Sequence, residues 1–181
     1  MYDVVIIRDV KLQDLVSIIN HKKQVLRENA AFMGRTLDEW KIDVSVETTW
    51  LRQHLQPGGC MFVAIYDGQV IGMLGFLRNE RARYKHGGMM GMSIQEHFTG
   101  QGIGKKLLTE FLKWAEAEEG LEKVSLEVYA SNKRAISLYD KFGFLEDARV
   151  EKLRKEADGS YVDDVHMSYF PKKLTVSNRQ N

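Results

Sequence analysis

The chain has one cysteine, Cys60, in its 181 residues. No intramolecular disulfide can form, and a lone thiol inside the apolar run CMFVAIY fits a buried structural role and a reducing compartment. No apolar run approaches the roughly 20 residues that cross a bilayer. The first residues, MYDVVIIRDV, lack the basic leader and small-residue cleavage site of a signal peptide and read as a strand. A cytoplasmic protein with no membrane partner is expected. Net charge is also scarce: 26 basic side chains against 25 acidic ones leave +1, so no global field draws the protein to nucleic acid. The histidines at 21, 54, 97 and 166 have no metal-ligand spacing, and no metal is expected.

What is present describes one globular domain, expected over residues 1–172 with a polar tail at 173–181; 44% of the chain is hydrophobic and 28% charged. A β-branched run at 4–8 predicts a strand, and Leu12, Leu15, Ile18 and Ile19 recur at helical spacing towards Leu26. The pattern weakens over 28–43, where Phe32 and Trp40 stand among charges as a second short helix or a mobile segment. A helix at 46–55 ends at Pro57, Gly58 and Gly59. Two apolar stretches, 61–66 and 70–77, flank Asp67 and Gly68, the strongest hairpin signal in the chain. A charged loop at 79–85 precedes a strand at 88–94. A helix with Ile103, Leu107, Leu108, Phe111, Leu112 and Ala115 on one face runs to Gly120. A strand at 124–129, a helix at 132–141, an apolar turn at 142–144 and strands at 148–153 and 161–169 complete the order.

Chemistry concentrates first in IQEHFTGQGIGKKLL, residues 94–108. Gly100, Gly102 and Gly104 alternate between a strand and a helix, so bare N–H groups and the positive helix end can converge on an anion. Lys105 and Lys106 follow in the first turn, where the dipole disfavours a cation unless an anion is bound; this favours a phosphate. A Walker loop would need glycine where Thr99 stands and Ser or Thr where Lys106 stands, and the dinucleotide fingerprint fails on spacing as well.

The second constellation is LEVYASNKRAISLYDKFGF, residues 126–144. Ser131 or Asn132 can cap the helix that follows. Glu127 alternates with Leu126 and Val128 and faces the other side of the sheet. Taken alone, Tyr139 reads as an amphipathic core aromatic.

These two stretches, in this order, resemble the GNAT superfamily of acetyl-CoA-dependent N-acetyltransferases. The loop spelling is matched by Thr99, Gly100, Gln101, Gly102, Ile103 and Gly104, with Thr99 standing where the family has Arg or Gln. Asn132, Ala135, Leu138, Tyr139, Gly143 and Phe144 match the second motif. The resemblance implies an α+β, three-layer fold: a mixed, mostly antiparallel sheet of about seven strands, about four flanking helices, and a V-shaped splay between the fourth and fifth strands. It implies acetyl-CoA as co-substrate, with the pantetheine arm along Met92, Ser93 and Ile94 and the pyrophosphate on the amides of residues 99–105. Asn132 and Ala135 would lie near the cofactor, and Lys105, Lys106 or Lys141 could meet remaining phosphate charge.

Direct transfer needs a base for the amine and an acid for the departing thiolate, but no Ser or Cys nucleophile. Tyr139 matches the family's acid. A common family carboxylate position falls at Gly88. That leaves Glu127 as first candidate base, since 126–139 is similar to bacterial ribosomal-protein alanine N-acetyltransferases, with His86 second and ordered water third. The stretch 81–86 and the closing DGSYVDDVHM look most like acetyltransferases of free amino acids or related small amines. Acetylation of a protein N-terminus is the nearest alternative, and a non-catalytic acyl-CoA sensor is the alternative from another class. Phe32, Trp40 and Trp50 mark the expected acceptor lid. A homodimer stays open.

Overall fold

A computed structural model describes residues 4–171; the expected tail lies outside them. Strand β1 (Ile6–Asp9) leads through a 3-10 turn into helix α1 (Leu15–Glu28). Asp14 secures the junction, accepting from both Arg8 guanidinium ends at 2.8 Å and from the Lys11 amide. Helix α2 (Val44–His54) starts two residues earlier than the apolar pattern suggests. The reason is Asp43, whose Oδ1 accepts from the amides of Ser45 and Val46. Strands β2 (Gly59–Tyr66) and β3 (Gln69–Arg78) form the expected hairpin. Its turn residues Asp67 and Gly68 both have positive φ, 47° and 71°, as a twist-matched two-residue turn requires.

Strand β4 (Gly87–Ile94) leads through the glycine loop to helix α3 (Ile103–Ala117), and β5 (Lys123–Tyr129) to helix α4 (Lys133–Lys141). Strands β6 (Leu145–Lys155) and β7 (Tyr161–Tyr169) close the chain. The seven strands lie in the order β1-β2-β3-β4-β5-β7-β6, antiparallel except for β4 beside β5. That parallel contact pairs only residues 87–89 with 123–125. Beyond it the two strands part, and the V opens between residues 90–94 and 126–129.

Each sheet face has its own packing. On one, Ile103, Leu107, Leu108 and Phe111 of α3 join Leu74, Phe76, Met90, Leu126 and Val128 in a single core. On the other, Ile18 and Leu51 pack against Met61, Val63 and Val70. Fully burying one such side chain contributes about 1.5–3 kcal/mol. Cys60 is buried in the first core, where burial pushes its thiol well above the usual range.

Three local expectations need correction. Between the end of α1 at Glu28 and Asp43 the only helical piece is a 3-10 turn, Ala30–Phe32. Trp40 is buried and donates Nε1–H to Glu47 at 3.0 Å, while Lys22 bonds Glu47 at 2.6 Å and lies 3.3 Å above the Trp50 ring. Both tryptophans therefore hold α1 to α2 and are not part of a lid. Strand β6 begins at Leu145, not 148, and carries register shifts with Lys152 at φ 53°; its exposed, charged alternation hid its length.

Candidate active site

The V encloses a cavity of about 760 Å³ lined by both diverging strands, the glycine loop and the start of α4. Of the residues expected to hold the cofactor, all reach its wall except Gln101 and Lys106. The Gln101 side chain turns back and donates to the His97 carbonyl at 2.9 Å.

The loop is built as an anion cradle. Gly100 and Gly102 have φ of 74° and 79° with open space where a Cβ would project; glycine serves the left-handed backbone there, since no neighbour crowds it. Gly104 answers to crowding, because a Cβ would meet Leu138 of α4 at 3.0 Å. No side chain caps the first turn of α3, so its amides remain available to a phosphate. Lys105 lines the cavity and is exposed, with no ion pair among the described residues; Lys141 also lines it, and Lys106 does not. These features fit the pyrophosphate of acetyl-CoA. Beside Thr99, where the loop spelling departs from its family pattern, Arg134 of α4 bonds the threonine Oγ1 at 2.9 Å and holds Glu96 at 3.4 Å. A guanidinium thus stands at the loop without being encoded in it. Sequence gave no sign of this, because the partners are 35 residues apart.

Tyr139 lies on α4, 6% exposed, its ring tilted against Phe144 at 5.6 Å. It lines the cavity, and burial alone perturbs its hydroxyl, with no hydrogen bond to it among the described residues. Burial pushes its pKa well above the ordinary tyrosine value, so it stays protonated and can donate. Asn132 spends its side chain on the cap expected of it or Ser131, accepting from the Ala135 amide at 3.1 Å.

Glu127 also lines the cavity, from the opposite face of β5 to Leu126 and Val128. The acid candidate and the carboxylate thus approach from opposite sides of the sheet, as required if sulfur lies on the α4 side and the amine on the α1 side. His86, the second base candidate, is exposed in a turn outside the cavity wall. Its backbone carbonyl is what it contributes, accepting from Glu122 and Lys123. Gly88 explains the missing carboxylate: a Cβ there would collide with the Leu77 carbonyl and the Phe76 ring.

The α1-side wall is bridged by residues 29–34. At one end Glu28 accepts from the Glu96 amide at 3.0 Å; at the other the Tyr129 hydroxyl donates to the Met33 carbonyl at 2.7 Å. The segment is therefore tied to both arms of the V, and Phe32 sits at its centre, edge-on to Tyr129. Arg154 of β6 donates to the Tyr129 hydroxyl and holds both oxygens of the buried Asp164, at 2.9 and 2.8 Å. Single atoms of Glu127, Asp164 and His166 converge within 4.8 Å, a grouping no sequence spacing revealed. Both Asp164 oxygens are held by Arg154, so that carboxylate is already engaged by an ion pair. Behind β4, His21 is fully buried and its Nε2 lies 2.9 Å from the Ser93 hydroxyl; burial lowers its pKa to about 4.

A model of the acetyltransferase (GNAT) family matches residues 26–144. Among curated relatives, the L-amino acid N-acetyltransferase AaaT of Escherichia coli is 27% identical over 113 residues, covering 62% of this chain and 69% of that protein. An N-alpha-acetyltransferase of Sulfurisphaera tokodaii is 28% identical over 165 residues, covering 86% and 89%. A phosphinothricin acetyltransferase from Sinorhizobium meliloti, solved in complex with AcCoA, matches with a TM-score of 0.79 at 21% identity, over 92% of this chain and 88% of that one; this likeness is one of fold.

Proposed function

The chain belongs to the acetyltransferase (GNAT) family, and on that premise we propose that it moves an acetyl group from acetyl-CoA directly to a primary amine of a free amino acid or related small molecule. The observation that carries the reading is the splayed cavity with Tyr139 on one face of the sheet and Glu127 on the other. The thioester would pass through the V, with the pyrophosphate on the glycine-loop amides and Lys105. Glu127 takes one proton from the ammonium, the nitrogen attacks the acetyl carbon, the C–S bond breaks as Tyr139 gives its proton to the departing sulfur, and the second N–H proton restores the Tyr139 phenol. Each positioned proton-transfer group is worth about 10²- to 10⁴-fold.

A small acceptor is supported by the bridge at 29–34, which is tied to both arms and narrows the α1-side approach. The name of the Escherichia coli relative points the same way. The second reading, a protein N-terminus, is favoured by the longer match to the Sulfurisphaera enzyme. One experiment separates them: acetyl-CoA-dependent thiol release with free amino acids, polyamines, aminoglycosides and short peptides offered in parallel. Turnover with small amines supports the first reading, and turnover with peptides alone replaces it by the second. CoA binding without turnover on any amine would make the chain a sensor.

A further inference from the structure

Acetyl transfer to a protonated amine strips two N–H protons as –NH3⁺ becomes –NH–. The balance is R–NH3⁺ + CH3CO–S–CoA → R–NH–COCH3 + HS–CoA + H⁺. The C–N bond forms, the C–S bond breaks, one proton ends on sulfur, and the other leaves the site. An alkyl amine with a pKa of about 10.4 arrives protonated at neutral pH, so this export accompanies every turnover. Glu127 is 47% exposed and lines the open cavity; with both substrates seated there, its proton needs a route that does not run back past them.

We propose that His166 is that route: a positioning residue that receives the proton from Glu127 at Nε2 and releases one to solvent from Nδ1. This rests on the reading of Glu127 as base. Glu127 and His166 are direct partners across the β5–β7 ladder, so both side chains leave the same face of the sheet. His166 Nε2 lies 4.0 Å from Glu127 Oε1, is buried, and has no hydrogen-bond partner among the described residues. The side chain as a whole is nevertheless 36% exposed, so one edge of the ring is turned inward towards the carboxylate while the ring still reaches solvent. An imidazole that gains a proton at one nitrogen and loses it at the other carries charge between two such environments. Closing 4.0 Å to hydrogen-bond length takes a shift of about 1 Å, which two partly exposed side chains can make.

Other groups face the ring but are already engaged. Asp164, the neighbour two residues back on β7, is held by Arg154. Asp147 of β6 accepts from Lys123 and Ser168. Glu127 is left as the carboxylate able to exchange a proton with His166.

The test uses the full chain and the acceptor found in the thiol-release panel. In dilute buffer, His166→Ala should lower kcat by about 10²-fold, with KM unchanged for both substrates. Free imidazole should restore it in proportion to its concentration. The Glu127→Gln/His166→Ala double variant should be no slower than Glu127→Gln and should ignore imidazole. His166→Asn serves in the same way if the alanine variant folds poorly. Full kcat in either single variant, or a loss that imidazole leaves untouched, overturns the relay. If wild type transfers acetyl and Glu127→Gln is slow while His166→Ala is not, only the relay fails. If wild type transfers none, the functional reading fails with it.

Discussion

Replacing Tyr139 by phenylalanine separates chemistry from packing at one atom. The ring is buried against Phe144 and keeps that contact in the variant. Only the hydroxyl goes, and it has no partner among the described residues, so no bond is lost and stability should hold or rise; a gain of about 1 kcal/mol would raise Tm by about 2–4 °C. If Tyr139 protonates the leaving sulfur, kcat falls by about 10²- to 10⁴-fold, a barrier rise of about 3–5 kcal/mol at 1.36 kcal/mol per tenfold. Burial raises the phenol's pKa, so the wild-type group stays protonated across the assay range and the loss should be constant from about pH 6 to 9. Thiol release gives kcat, calorimetry gives CoA affinity, and a thermal melt reports the fold. A variant that retains turnover within about threefold, far short of what a positioned acid supplies, would remove the hydroxyl from the mechanism and leave Tyr139 a core aromatic.

His21 makes the fold acid-sensitive. Its pKa drops from 6.5 to about 4 on folding, so the unfolded chain binds more protons between those values; stability is full above about pH 6.5 and falls by about 3 kcal/mol as pH drops to 4. Urea midpoints should show wild type losing most of its advantage over His21→Gln between pH 7 and 4.5; a constant gap would refute this. Gly102→Ala forces a Cβ into left-handed backbone at φ 79° at about 1–2 kcal/mol and should lower Tm by several degrees and weaken CoA binding; an unshifted melt would mean the loop relaxes freely. Tyr129→Phe cuts the tie to the Met33 carbonyl, costing about 1–2 kcal/mol, and should raise KM for the acceptor but not for acetyl-CoA. Equal changes in both KM values would deny the bridge a part in acceptor binding.

Much of this was legible because it is local. The hairpin at Asp67 and Gly68, the alternating glycines and the apolar face of α3 each lie within a few consecutive residues, and periodicity alone brought Glu127 to the face opposite Leu126. What stayed hidden depends on tertiary pairing. Arg134 beside Thr99, Met33 under Tyr129 and His166 opposite Glu127 are joined by register or by a long crossing, which no spacing encodes. Trp40 and Trp50 misled for the same reason: their partners, Glu47 and Lys22, convert conspicuous aromatics into ordinary inter-helix packing. Gly88 reads as a missing functional group, yet the Phe76 ring leaves room for nothing larger.

The burial of Cys60 has a practical consequence at the bench. A colorimetric thiol reagent added to the folded protein meets no reactive sulfhydryl among the described residues, and Cys60 is the chain's one cysteine. Every equivalent of colour therefore counts a CoA released, without background subtraction for the enzyme. The same silence lets one cysteine placed at residue 32 carry a fluorophore alone, so that the surroundings of the bridge could be followed during turnover in a single cuvette.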